Sequence, residues 1–399
     1  MALVRIAIDA STWHNRRGFG RFTREIVGAM LRLDSPHRFV LFFDGAVPEG
    51  MQAAECVAVR QSRSVAESAV ADDSRNPLDL LRFTAAVLRA RPDVLFYPAV
   101  YSWFPCPPGM RNLLTLHDAI AEHLPDLVFP KRRFRTMWQL KVRLARMQAT
   151  RFLTVSNAAR TEIGTYMGID PARIDLTTEG AKAVFRPLAG DQDRTLARQA
   201  IRLHLSLPAE ARYITFVGGF APHKNLLGLV RSFARIAGSG RPDLHLLMVG
   251  DIGGSGFHSN VAEIEQCMAS EPSLAGRVHF TGFLDDGLLA SVYATSIAVV
   301  LPSFSEGFGL PIVEAMACAT PVLAANVGSM PEVLGDAGLL FDPHDLDAMT
   351  DALRRVADDP VLAADLSERA LRRSAQFSWE HAARLALASI ERCARRGAR

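Results

Sequence analysis

The sequence predicts an α/β protein of two doubly wound, parallel-sheet domains, and three observations carry that prediction. Short apolar runs alternate with helical stretches along the whole chain, the pattern of sheets built from βαβ units. At 399 residues the chain is too long for one ordinary core and points to two domains. Between the halves, Phe185-Arg-Pro-Leu-Ala-Gly-Asp-Gln-Asp193 loses apolar periodicity and collects Pro, Gly and acids, as a linker does. The expected domains are 1–186 and 187–376. A helix and basic tail over 377–399 would pack back on one or the other.

In chain order, the first half offers strands at Leu3–Asp9, Phe39–Phe43, Val94–Tyr97, Leu113–Leu116, Phe152–Val155 and Ile174–Thr177. The second offers Tyr213–Val217, Leu244–Val249, Val278–Thr281, Ile297–Leu301 and Pro321–Ala324. Each is a short run of aliphatic and aromatic residues, the length of a buried strand rather than a helix. Helices are expected at Arg21–Leu33, after Pro311 and from Trp379 onward. Parallel open sheets bind ligands at the carboxyl ends of their strands, so two such domains facing each other would form a cleft.

With 49% hydrophobic and 22% charged residues, the composition is that of a soluble globular protein. The opening Met1-Ala-Leu-Val-Arg-Ile-Ala-Ile-Asp9 lacks a signal peptide's charged and apolar regions. No apolar run approaches the ~20 residues that span a bilayer, so a cytoplasmic location is expected. Five scattered cysteines fit neither a disulfide framework nor a metal site and read as buried thiols. Residues 1–186 carry 26 Lys and Arg against 18 Asp and Glu, so the first half favours an anionic neighbour.

The stretch Ser303-Phe-Ser-Glu-Gly-Phe-Gly-Leu-Pro-Ile-Val-Glu314 follows an apolar strand and leads into helix-forming residues. Pro311 suits the first helical position, which puts Gly307, Phe308, Gly309 and Leu310 at the positive end of a helix, where small glycines let a phosphate approach. Glu306 and Glu314 flank the turn. Two carboxylates beside phosphates would repel them unless directed at neutral hydroxyls, which a sugar and a ribose supply. The expected ligand is therefore a sugar diphosphate nucleoside: the loop holds the diphosphate, and the two glutamates hold the sugar and the ribose.

These residues, within "PSFSEGFGLPIVEAMACATPVLAANVGSMPEVLGDAGLLFDP", resemble the donor-site signature of retaining GT-B glycosyltransferases of family four. Further resemblance lies in "FVGGFAPHKNLLGLVRSFARI" (216–236), "VHFTGFLDDGLLASVYATS" (278–296), "TLHDAI" (115–120) and "GFGRFTREIV" (18–27). It covers nearly the whole chain and is strongest from 213 to 343. The resemblance implies two Rossmann-like domains, a nucleotide-sugar donor held by the second and a saccharide or lipid-linked acceptor on the first. It also implies transfer with retention, no cofactor and no divalent metal.

Residue by residue, the resemblance implies that Lys224 pairs with the donor phosphates, Glu306 binds the sugar and His117 orients it. The family's arginine beside the glycine is missing at Gly218-Gly219, and His223 and Arg21 are the candidates to replace its charge. Gly18 and Gly20, before a helix, would let backbone amides approach the ligands. Gly219, Phe283 and the loop Gly250–Gly256 lie at neighbouring strand ends and would frame the nucleotide. The "GFGRFTREIV" opening resembles mannosyltransferase-like members that build bacterial surface polysaccharides, which implies GDP-mannose first and a UDP-sugar second.

Lys131-Arg-Arg-Phe-Arg-Thr-Met-Trp-Gln-Leu-Lys-Val-Arg-Leu-Ala-Arg146 carries seven cations and no acid. Phe134, Trp138, Lys141 and Ala145 share one helical stripe, with Met137, Leu140 and Leu144 adjacent. Such a helix either meets an anionic lipid surface or acidic partner through Lys131, Arg132, Arg133, Arg135 and Trp138, or packs on the core with its arginines solvated. No nucleic-acid motif accompanies it. Gly307-Phe-Gly309 lacks the third glycine of a dinucleotide fingerprint, which argues against a dehydrogenase. An epimerase or phosphorylase of the same fold, and a weakly active sugar-nucleotide-binding protein, stay open as alternatives.

Overall fold

In the computed structural model, residues 3–51, 53–62, 76–252 and 259–395 are described. They hold thirteen strands in two parallel sheets. The first sheet comprises β1 (Arg5–Asp9), β2 (Arg38–Asp44), β3 (Glu55–Val59), β4 (Val94–Tyr97), β5 (Arg111–Thr115), β6 (Arg151–Thr154) and β7 (Ile174–Leu176). The second comprises β8 (Arg212–Val217), β9 (Leu244–Val249), β10 (Val278–Gly282), β11 (Ala298–Leu301), β12 (Val322–Ala325) and β13 (Gly338–Phe341). Their orders are β3-β2-β1-β4-β5-β6-β7 and β10-β9-β8-β11-β12-β13. Every ladder is parallel. In both sheets the order reverses beside the first strand, between β1 and β4 and between β8 and β11, which is the arrangement that opens a binding crevice.

Central strands are buried on both faces: β4 and β9 expose nothing, as the apolar run Val94–Tyr97 and the run Leu244–Val249, apolar but for His245, require. The two strands that the apolar pattern does not pick out, β3 and β13, are both sheet edges. Their residues are mixed in burial, so their sequences, Glu-Cys-Val-Ala-Val and Gly-Leu-Leu-Phe, carry a weaker signal.

The first unit contains the residues up to Glu179 together with those from Ser378 onward; the second contains 180–252 and 259–377. The division falls just behind β7, ahead of the polar stretch 185–193. Residues after Glu179 are already tied to the second unit: Lys182 pairs with Asp286 at 2.8 Å, and the Phe185 ring meets Tyr293 edge-on at 5.7 Å. The helix Trp379–Ala394 returns to the first unit, where the Trp379 ring lies 5.9 Å from Phe22 and Thr177 Oγ1 donates to the Ala382 carbonyl at 2.9 Å. Cys106, Cys318 and Cys393 are buried thiols, while Cys56 and Cys267 are half-buried. Among the described residues no helix is long and apolar enough to cross a membrane.

Candidate active site

The second unit builds a polar cluster at its strand-order reversal. After β8 the chain makes a single turn at Pro222–Lys224 and enters the helix Leu226–Ala237. After the neighbouring β11 it passes through Ser303–Gly309 into the helix Leu310–Ala317. The two loops are bonded directly, since the Phe304 N–H donates to the His223 carbonyl at 2.8 Å. Lys224 Nζ then reaches Glu306 Oε1 at 2.7 Å, and Ser303 Oγ donates to the same oxygen at 2.6 Å. A third loop, after β12, supplies Ser329, whose Oγ donates to the Glu306 carbonyl at 3.0 Å.

Burial alone would raise the pKa of Glu306. The Lys224 ammonium, the bonds from Lys224 and Ser303 and the nearby His223 outweigh burial and hold the carboxyl below its usual range. Glu306 is therefore a fixed anion and a poor proton acceptor. Burial, with a smaller contribution from Lys224, lowers the His223 pKa to about 3. Its ring is neutral at neutral pH, which corrects the expectation that His223 replaces the missing arginine's charge.

Gly309 caps the helix Leu310–Ala317 at φ 86°, and Pro311 stands in its first turn, where a missing N–H leaves no bond unmade. Gly307 is buried and Leu310 half-buried beside this positive helix end. Phe308 turns its ring inward, edge-on to Phe377 at 5.8 Å. Glu314 is only 2% exposed and accepts a hydrogen bond from the Tyr293 hydroxyl at 3.1 Å. Gly219 is exposed with open space where a side chain would be, and Phe283 is 52% exposed. Of the loop Gly250–Gly256, residues 253–256 lie outside the described residues.

In the first unit, His117 follows β5 and is packed edge-on against Phe22 at 4.6 Å. Its Nε2 lies 3.0 Å from the Pro98 carbonyl and its Nδ1 3.8 Å from Glu179 Oε1. A carbonyl only accepts, so Nε2 carries the proton and Nδ1 presents a lone pair. Burial lowers the pKa to about 4, against the opposing effect of the Pro98 carbonyl, so the ring is neutral. Gly18 and Gly20 lie inside the first turn of the helix Gly18–Arg32, rather than in a loop before it. A Cβ on Gly20 would stand 2.1 Å from the Asn15 carbonyl oxygen, whereas Gly18 has nothing within 4 Å.

The basic stretch is helical over Arg132–Gln148, with Lys131 at its start. Phe134, Val142 and Ala145 are buried. Trp138 turns inward, with Nε1 donating to Glu122 at 2.9 Å and the ring 5.1 Å from Tyr101. Trp138 is thus half-buried, on the stripe that packs against the core. Lys131, Arg132 and Arg133 are exposed, and Arg135 lies 3.8 Å from Asp126.

Sequence reading did not single out Ser303, Ser329, Tyr293 or Glu179. Ser303 is three residues before Glu306 and carried a local signal. Tyr293 and Glu179 reach their partners only through the fold.

Two family models match the chain: Glycosyltransferase Family 4 over residues 16–180 and Glycosyl transferases group 1 over 197–373. A D-inositol 3-phosphate glycosyltransferase of Rhodococcus opacus is 37% identical over 59% of this chain, which spans about half (52%) of that relative's length. The O-antigen chain mannosyltransferase B of Escherichia coli is 31% identical over 68% of each chain. Among solved structures, HepE of Anabaena in complex with UDP and glucose superposes with a TM-score of 0.72 at 17% identity, covering 98% of this chain and 100% of that one. The two parallel sheets match those of GT-B enzymes. The chain belongs to the group 1 glycosyltransferases of family four.

Proposed function

We propose that this protein transfers a hexose from a nucleotide-sugar, held by the second unit, to a saccharide or lipid-linked acceptor, with retention of configuration and without a divalent metal. The observation that carries the reading is the Lys224–Glu306 pair between the loops after β8 and β11, beside a helix N-terminus. An ammonium has three donors, so Lys224 holds Glu306 and still offers N–H to a phosphate oxygen. Its charge and the helix dipole would stabilise the departing nucleoside diphosphate. The fixed Glu306 carboxylate would accept from a sugar hydroxyl without repelling the phosphates, because Lys224 neutralises it.

Neither Glu306, with its lowered pKa, nor His117, at about 4, suits general-base work near neutral pH. That favours attack on the face the phosphate leaves: the acceptor oxygen bonds to the anomeric carbon as the carbon–phosphate-oxygen bond breaks. The departing oxygen takes the acceptor's proton. His117 would orient the sugar by accepting a hydroxyl hydrogen bond at Nδ1. The mannosyltransferase relative supports GDP-mannose as donor, and the UDP held by HepE supports a UDP-sugar as the second choice.

The test is transfer by Lys224→Ala. We expect a loss well beyond tenfold, roughly 1.4 kcal/mol of barrier, with activity retained in EDTA. Turnover within that margin would remove the charge argument. A melting-temperature panel with GDP, UDP, ADP and dTDP would identify the base, since a ligand of the folded state alone raises the midpoint.

A further inference from the structure

We propose that Glu179 is a second sugar-binding residue beside His117, and that its charge makes the site select neutral hexoses over hexuronic acids. The inference rests on the donor reading above and names the class of sugar the donor carries.

His117 follows β5 and Glu179 follows β7, with β6 between them in the sheet. Both belong to the first unit, and their side chains meet across the end of β6, where Glu179 Oε1 lies 3.8 Å from His117 Nδ1. Glu179 is 8% exposed. The His117 ring is held in place, because Phe22 stands edge-on to it at 4.6 Å and the Pro98 carbonyl keeps the proton on Nε2. Two acceptors therefore stand side by side, a nitrogen lone pair and a carboxylate oxygen, and neither donates to the other.

A ligand that serves both must bring donors. Two hydroxyls on neighbouring carbons of a sugar ring do so, one to each acceptor at about 2.8 Å. A carboxylate has lone pairs for several donors, so Glu179 takes a sugar hydroxyl alongside its protein contacts.

Charge then selects the sugar. The Glu306 carboxylate is offset by Lys224 at 2.7 Å, whereas the ring beside Glu179 is neutral and offsets nothing. Lys182, three residues further on, pairs with Asp286 at 2.8 Å. A hexose meets Glu179 with hydroxyls alone. A hexuronate adds a second anion in a site poor in water, where like charges repel most strongly.

The test converts ligand-induced melting shifts into affinities, using whichever of UDP and GDP binds better together with its neutral and acidic sugars. The probes are UDP-glucose and UDP-glucuronate, or GDP-mannose and GDP-mannuronate. Wild-type protein should bind the neutral donor more than about tenfold tighter than the uronate. Glu179→Gln, whose amide donates as well as accepts, should bring that ratio below about threefold and leave affinity for the bare diphosphate within about twofold. Glu179→Asp, which keeps the charge, should keep the preference for the neutral sugar. Equal wild-type affinity for the two sugars would overturn the proposal, and that comparison requires no variant to fold. An unchanged ratio in folded Glu179→Gln would overturn it as well, even with turnover lost, because Glu179 would then only position His117. Failure of both UDP and GDP to raise the melting temperature would remove the donor reading itself, and this inference with it.

Discussion

Gly18 and Gly20 are two positions apart, yet a methyl group has opposite consequences at each. At Gly20 it would stand 2.1 Å from the Asn15 carbonyl, so the start of the helix must move. Gly20→Ala is expected to cost about 1–3 kcal/mol, read from the urea midpoint. Gly18 has open space, and Gly18→Ala should leave stability within about 0.5 kcal/mol. Any change in its KM would then report ligand contact rather than folding. The same separation of roles applies to the two glutamates. Glu306 is held by Lys224 and Ser303, whereas Glu314 is buried and accepts a hydrogen bond from the Tyr293 hydroxyl. Tyr293→Phe removes a donor from that carboxylate and should lower stability by about 1–3 kcal/mol in the same assay. The two acids were legible as a pair because they flank Gly307 and Gly309; their different partners were not, since Tyr293 lies on another helix.

At the scale of elements, the helix Leu310–Ala317 depends on how it begins. Gly309 holds φ at 86°, and a Cβ there would lie 3.0 Å from Ile312 Cδ1. Gly309→Ala should cost about 1–2 kcal/mol from the left-handed backbone alone. It should also weaken the nucleotide-induced rise in melting temperature, a combined readout that a purely structural glycine would not produce. Strands within the sheets were legible as apolar runs because both of their faces are covered. The edges β3 and β13 were not, because only part of each is buried and the pattern is diluted. The helix Arg132–Gln148 was legible as a basic helix with one aromatic-bearing stripe and further apolar residues beside it. Which side faces inward depends on Tyr101, Phe129 and Glu122, which receive Trp138.

For the whole molecule, two half-buried histidines set an acid limit. His117 and His223 have folded pKa values of about 4 and about 3, below the ordinary 6.5. Between roughly pH 6.5 and 4 the unfolded chain therefore binds protons that the folded chain does not, and stability falls as the pH falls through that window. Glu306, whose folded pKa is depressed, adds a loss below about pH 4.5. Melting temperatures should drop from pH 7.5 to 5, and His117→Asn should flatten the slope. The sequence by itself determined the two parallel sheets, the glycine turn into a helix and the acid pair, because these are written in local spacing: apolar runs, Gly and Pro positions, and charges within one loop. Only the tertiary structure decided that Lys224 and Glu306 pair across two adjacent strand ends, that His223 is neutral, that Trp138 turns toward the core and that the last helix belongs to the first unit. Those outcomes depend on which distant residues become neighbours and how deeply each group is removed from water.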